Sequence, residues 1–137
     1  MADIINNIVG GRYYILELVG RGGSATVYKA KDIHNGGIYA LKKYITSDPA
    51  NRKRLLEGME RELEVLKNCT HPVLPKIFDL IKIEDAFFLV MEYIDGINLK
   101  KYVDEYGTLS TKMLVKVMEQ VCSGFYYLHS LSPAIVY

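Results

Sequence analysis

Short runs of apolar, β-branched and aromatic residues, each bounded by turn residues, recur through the first two thirds of the chain. Five such runs predict β-strands at about 12–19, 26–33, 38–44, 76–83 and 86–92. Asn35-Gly36, between the second and third runs, suits the positive φ values of a tight hairpin. The first three strands should therefore form an antiparallel meander. For residues 1–11 the pattern leaves two alternatives open, a loose arm or a short turn of helix.

Between the third and fourth strands the spacing of apolar residues becomes helical. Four of them recur at intervals of three and four and predict one buried stripe: Leu56, Met59, Leu63 and Leu66. The helix should begin with Ser47 or Asp48 as its N-cap and Pro49 in its first turn. It should continue to about Cys69, because Pro72 cannot extend it further. The expected length is about twenty residues.

Two more helices are predicted after the fifth strand. Asn98 should cap a short helix that ends near Tyr106, and Ser110 should cap a long one that ends near Ser130. The long helix carries apolar residues on one face: Leu114, Val117, Val121, Phe125 and Leu128. The predicted fold class is α+β, with a five-stranded antiparallel sheet and one long helix, followed by two further helices.

A glycine-rich turn, Gly20-Arg21-Gly22-Gly23-Ser24-Ala25, joins the first two predicted strands. Glycine permits positive φ and lets a ligand approach the backbone closely, because it has no Cβ. A turn of this kind is often only a hairpin connection, and the alternative is a cradle for phosphate groups. Since the turn leads from strand to strand, it is neither a dinucleotide-binding turn nor a P-loop, both of which open a helix.

The third predicted strand offers chemistry that fits a phosphate cradle. Ala40 and Lys42 should point to the same face, because strand side chains alternate with period two, whereas Lys43 should face the other way. A lysine near a strand end is more often a solvated surface charge. On the long helix, Glu60 and Glu62 flank the apolar stripe on opposite sides. Periodicity does not choose between these two acids as a partner for Lys42.

These stretches together resemble the protein kinases. The glycine turn is similar to the kinase pattern GxGxxGxV, with Gly20, Gly22 and Val27 in place and Ala25 where the third glycine is usual. The sequence of this turn from Gly22 onward is especially similar to that of bacterial Hanks-type serine/threonine kinases. Further matching stretches follow in the family's order: Ala40-Leu41-Lys42, Arg61-Glu62-Leu63-Glu64-Val65-Leu66, His71-Pro72, Leu89-Val90-Met91-Glu92-Tyr93 and Tyr127-Leu128-His129-Ser130.

The resemblance implies an ATP site in a small lobe at 12–92, after an arm at 1–11 and before a hinge at 93–97 and the start of a large lobe at 98–137. It implies that Lys42 holds the α- and β-phosphates and that Glu62 pairs with Lys42. Adenine would lie under an apolar roof, with backbone groups at its edge and a side chain at the ribose. The nucleotide-binding residues implied are Val19, Gly20, Gly22, Gly23, Ser24, Ala25, Val27, Ala40, Lys42, Met91, Glu92, Ile94 and Asn98.

The catalytic His-Arg-Asp loop of the family would begin at Tyr137, where the sequence ends, and the Mg²⁺-binding Asp-Phe-Gly would follow that loop. We therefore expect a parent serine/threonine kinase that transfers the ATP γ-phosphate to protein substrates through its missing lobe, and an inactive chain on its own. The alternative is a naturally short, pseudokinase-like module that binds nucleotide or protein without catalysis. Either way, the uncovered apolar face of the last helix predicts a homo-oligomer.

Composition excludes several other classes. Net charge is +1, with no basic stripe that would indicate nucleic-acid binding. Cys69 and Cys122 lack metal-site spacing and are expected to be reduced thiols of a cytoplasmic protein. The three histidines are isolated, so no metal site is expected. The N-terminus lacks a signal peptide and no apolar run is long enough for a membrane segment, which leaves only an anchor of the parent protein outside this segment.

Overall fold

A computed structural model of the protein describes residues 4–23, 25–45, 49–84, 86–131 and 134, and within these it leaves out the side chains of residues 49–51, 62 and 65. The chain divides into two units. The first comprises Met1–Cys69 and Pro75–Ile94, and the second comprises Thr70–Leu74 and Asp95–Tyr137. Each unit is described by itself.

The first unit is built on one antiparallel sheet with the strand order β1-β2-β3-β4-β6-β5. The strands are β1 (Ile8–Val9), β2 (Tyr13–Arg21), β3 (Thr26–Asp32), β4 (Ile38–Ile45), β5 (Ile77–Ile83) and β6 (Ala86–Glu92). One helix, α1 (Pro49–Leu66), connects β4 to β5. The predicted α+β class is confirmed. The predicted number of five strands is wrong, because the described chain forms six.

The additional strand comes from the segment before residue 12. Gly10 and Gly11 both adopt positive φ, 59° and 66°, and the Arg12 amide donates to the Val9 carbonyl at 3.1 Å. Positive φ at both central positions of a turn matches the twist of a hairpin and favours Gly-Gly. It folds Ile8–Val9 back onto Tyr13 and Tyr14. Neither the arm nor the helical turn anticipated this pairing.

The two faces of the sheet carry separate apolar clusters. One consists of Val9, Tyr13, Ile15, Tyr28, Ala30, Leu41, Phe88 and Val90, all buried. The other contains Met59, Ile77, Phe87 and Leu89, against which Leu55, Leu56, Leu63 and Leu66 of α1 pack. The predicted stripe of α1 is therefore confirmed. Phe87 and Phe88 belong to different clusters because successive strand side chains point to opposite faces.

The ends of α1 follow the sequence in part. Pro49 is the first helical residue, as predicted, and the predicted caps Ser47 and Asp48 lie outside the described residues. The helix ends at Leu66, earlier than the predicted Cys69. The Cys69 amide donates to the Leu66 carbonyl at 3.1 Å, which makes a turn after the last helical residue.

A buried carboxylate fixes the turn between β3 and β4. Asp32 is 0% exposed and pairs with Arg12, at 2.7 Å from Nη2 and 2.8 Å from Nε. It also accepts a hydrogen bond from the His34 amide at 2.8 Å. The hydrogen bond from Arg12 holds the pKa of Asp32 below its ordinary value. Asp32 thus connects the start of β2 to the turn after β3.

The second unit contains α2 (Leu99–Tyr106) and α3 (Thr111–Ser130). Both predicted N-caps are confirmed: the Asn98 side chain accepts from the Lys101 amide at 2.8 Å, and Ser110 accepts from the Met113 amide at 3.3 Å. The described helices include none long and apolar enough to cross a lipid bilayer.

The segment Thr70–Leu74, between α1 and β5, packs along α3. The Thr70 amide donates to Tyr127 Oη at 3.0 Å, and the His71 ring stacks on the Tyr127 ring with 5.0 Å between centroids. Gly124 makes this approach possible, because a Cβ there would lie 2.9 Å from a methyl group of Val73. The turn that ends the helical pattern of α1 is therefore a packed part of the second unit.

Candidate functional site

Strand register places the candidate residues on one face of the sheet. Val27 lies opposite Lys42, and Lys42 lies opposite Leu89. In the next row, Ala40 lies opposite Met91. Directly paired residues of antiparallel strands share a face. Val27, Ala40, Lys42 and Met91 therefore occupy the same face, which is also the face on which α1 packs.

The glycine turn closes the hairpin between β2 and β3. Gly20 pairs with Val27, and the Gly22 amide donates to the Ala25 carbonyl at 2.8 Å. Gly20, Gly22 and Gly23 all have φ values outside the left-handed region. The backbone of the turn therefore does not require glycine at these positions for its φ values. A Cβ at Gly20 or Gly23 would meet no atom within 4 Å, which leaves open space for a ligand beside the backbone. Ser24 lies outside the described residues.

The predicted apolar roof is unevenly covered. Ala40 is buried, Val27 is half-buried and Val19 is 52% exposed. Val19 has no paired residue in β3, because the register shifts between Leu18 and Gly20. An extra residue of this kind bends the strand and turns its side chain.

Lys42 and Lys43 point to opposite faces, as the strand period requires. The ammonium of Lys42 lies 5.1 Å from the centroid of the Tyr44 ring, whereas that of Lys43 lies 5.6 Å from Phe88 on the other side. The side chain of Glu62 lies outside the described residues. Glu60, the other acid on α1 that the periodicity left open, forms an ion pair with Lys82 of β5.

The end of β6 supplies the remaining candidates. The Glu92 amide donates to the Lys76 carbonyl at 2.8 Å, and the Glu92 carboxylate accepts from the Lys76 amide at 3.1 Å. Ile94 is 66% exposed. Asn98 belongs to the second unit, where its side-chain oxygen is engaged as the cap of α2.

A polar group that the sequence did not single out lies beside this face. The Lys29 ammonium is 3.3 Å from a Glu17 carboxylate oxygen and 4.7 Å from the centroid of the Tyr93 ring. The hydrogen bond that the Lys29 ammonium donates to Glu17 raises the pKa of Lys29. Strand alternation in β3 places Lys29 on the same face as Val27, and this alternation could have identified Lys29 from the sequence. Its two partners depend on register and on the course of the chain after β6.

This face offers an ammonium, a small buried residue and a turn with open space beside its backbone. These features fit a nucleoside triphosphate. For a metal ion, no group of three His, Cys, Asp or Glu side chains that could hold one occurs within the described residues.

Comparisons with known proteins agree with this geometry. The serine/threonine-protein kinase PrkC of Bacillus subtilis is 35% identical over 126 residues, which is 92% of this chain and 19% of that protein. The probable serine/threonine-protein kinase PknB of Lactococcus lactis is 29% identical over 126 residues, again 92% of this chain and 20% of its own length. The chain thus spans about a fifth of the curated relatives it matches.

A solved structure extends the similarity to three dimensions. The crystal structure of Rad53 residues 1–466 in complex with AMP-PNP superimposes with a TM-score of 0.74 at 29% identity, covering 87% of this chain and 30% of that one. The sequence profile of the protein kinase domain matches residues 13–137. The chain therefore belongs to the protein kinase family.

Proposed function

We propose that this chain is the ATP-binding part of a serine/threonine protein kinase, a parent enzyme that transfers the γ-phosphate of ATP to protein hydroxyls. One observation carries the proposal: Val27, Ala40 and Lys42 share a sheet face directly beside a glycine turn with open space at its backbone. The proposed serine/threonine specificity is based on the names of the relatives. ATP follows the bound AMP-PNP of the structural neighbour.

Each residue has a distinct task in this proposal. Lys42 neutralises charge on the α- and β-phosphates, and Ala40 leaves room for the adenine ring. Glu62 orients the Lys42 ammonium. Glu60 supports that choice between the two acids, because its carboxylate already pairs with Lys82. Mg²⁺ would offset the charge of the phosphates, and its ligands would come from the rest of the parent enzyme.

Lys42→Met should weaken binding of ATP to the purified chain by about tenfold or more, because charge-assisted contacts to phosphate are lost. Lys43→Met is the matched control, since this neighbour lies on the opposite face over Phe88. Its affinity should stay within about twofold of the wild type. Calorimetric titration with ATP, with and without Mg²⁺, measures all three proteins.

The outcomes separate the proposal from its alternative. Equal losses in both variants would contradict the assignment of Lys42, and absence of ATP binding by the wild type would leave a protein-interaction module as the function. If ATP binds but no phosphate is transferred to a general protein substrate, the chain alone is inactive, as we propose. Measurable transfer by the chain alone would contradict that part.

We also propose that the chain associates with itself through α3. One side of this helix exposes several large apolar side chains: Leu114, Val115, Met118, Val121, Phe125 and Tyr126. A patch of this kind tends to acquire a partner. At micromolar concentration, light scattering should detect a dimer or larger species, and the pair of substitutions Met118→Lys and Phe125→Lys should reduce it to a monomer. A strictly monomeric wild type would contradict this proposal.

A further inference from the structure

Lys29 connects two parts of the first unit that are distant in sequence. Its ammonium lies 3.3 Å from the carboxylate of Glu17 on β2 and 4.7 Å from the centroid of Tyr93, just after β6. Only 27% of the Lys29 side chain is exposed, against 58% for Glu17. A cation held over an aromatic face is more strongly attracted when it is partly removed from water.

This group continues the row of residues on the candidate nucleotide face. Glu17 lies opposite Lys29, Lys29 opposite Ala40, and Ala40 opposite Met91. Four strands therefore contribute one adjacent row, with the small buried Ala40 at its middle. The charged pair stands at one end of the row, next to the place proposed for adenine.

The course of β2 explains why a pair is needed there. The register of β2 against β3 shifts between Ile15 and Glu17 and again between Leu18 and Gly20. Only Glu17 and Leu18 are regularly paired between the two shifts. Bulges weaken the ladder locally, so side-chain contacts must fix the strand at this point. The Glu17–Lys29 ion pair does so three residues before the glycine turn.

We propose that Lys29 is a positioning residue for the adenine end of the site, one that holds the Glu92–Ile94 backbone and the base of the glycine turn in fixed relation. The inference rests on the proposed nucleotide-binding function. Tyr93 lies between the two residues whose backbone groups are proposed to meet adenine, so loss of its contact with Lys29 would let that segment move. Lys29 itself need not touch the nucleotide.

Adenosine and ATP together test this role. Lys29→Met should weaken binding of both by the same factor, about three- to tenfold, because the base-binding segment serves both ligands. Lys42→Met should weaken ATP binding and leave adenosine binding within about twofold, because adenosine has no phosphates. Lys29→Arg should restore wild-type affinity for both ligands, since a guanidinium can keep the ion pair and stack on the ring.

Two variants of Tyr93 test the same contact from its other side. Tyr93→Phe keeps the ring and loses only the hydroxyl that also interacts with Lys29, so it should weaken binding of both ligands less than Tyr93→Leu. Tyr93→Leu should reproduce the loss seen for Lys29→Met. Combining Lys29→Met with Tyr93→Leu should add little to either single change, because both remove the same contact. Matching far-ultraviolet circular dichroism of all variants establishes that they are folded.

Three results would contradict either the positioning role of Lys29 or the proposed function. Unchanged adenosine and ATP affinities in folded Lys29→Met would overturn the positioning role and leave the proposed function intact, provided that Lys42→Met still weakens ATP binding. A loss restricted to ATP would also overturn it, because Lys29 would then act on the phosphates. Failure of the wild type to bind either ligand would overturn the proposed function itself.

Discussion

Asp32→Asn should lower the melting temperature of the protein by roughly 10 °C at pH 7, because it removes one partner of an ion pair whose acid is fully buried. Asparagine keeps the shape but has one acceptor oxygen, so when it accepts from the His34 amide its Nδ2 faces the Arg12 guanidinium. The change therefore removes both the charge and the acceptor for Arg12. Arg12, with 44% of its side chain exposed, remains partly solvated in the variant. Thermal unfolding followed by circular dichroism measures the effect.

The same pair predicts a dependence on pH. The pKa of Asp32 is lowered by Arg12, so its stabilisation is fully present above the carboxyl pKa of the unfolded chain, about 3.9, and is lost as pH falls through the lower folded value. The melting temperatures of wild type and Asp32→Asn should therefore differ at pH 7 and begin to converge as pH falls below about 3.9. Asp79→Asn, an exposed acid on the edge strand β5, is the matched control and should track the wild type throughout. A constant difference for Asp32→Asn across this range would contradict the assignment.

The features that the sequence predicted correctly are local ones. Alternation with period two is a property of any strand, which is why Ala40 and Lys42 could be placed on one face without knowledge of the sheet. The caps Asn98 and Ser110 depend on the first turn of their own helices. The β1–β2 hairpin, which was not predicted, is also local in origin. Its turn residues Gly10-Gly11 are a strong turn signal, but β1 is too short to appear as an apolar run.

The features that the sequence could not supply depend on register and on long-range pairing. Two register shifts in β2 mean that the partner of Glu17 cannot be found by counting residues from the turn. The partner of Glu60 is Lys82 on β5, and residues 67–76 separate this strand from the end of α1. Asp32 would be assigned to the surface by its residue type, and only the fold brings Arg12 against it.

Phe87→Ala should lower the free energy of unfolding by about 3–5 kcal/mol, because it leaves a cavity beneath α1. The ring is only 1% exposed, belongs to the cluster around Met59, and has the Arg52 guanidinium 5.5 Å from its centroid. Phe78→Ala is the comparison variant: this ring on β5 is 38% exposed, packs edge-to-face on Tyr39, and should cost about 1–2 kcal/mol. Denaturant titration gives both values.

The substitution at Phe87 should also act on the candidate site, since α1 carries Glu62 and contacts the sheet through this cluster. Hydrogen exchange should accelerate in α1 before it does in β2 and β3, whose core on the opposite face lacks Phe87. In the proposed site, where Glu62 orients Lys42, ATP affinity should then fall even where the protein remains folded, because α1 is loosened. Equal acceleration across both faces would show instead that the sheet unfolds as one unit, and that α1 has no independent freedom with which to adjust the site.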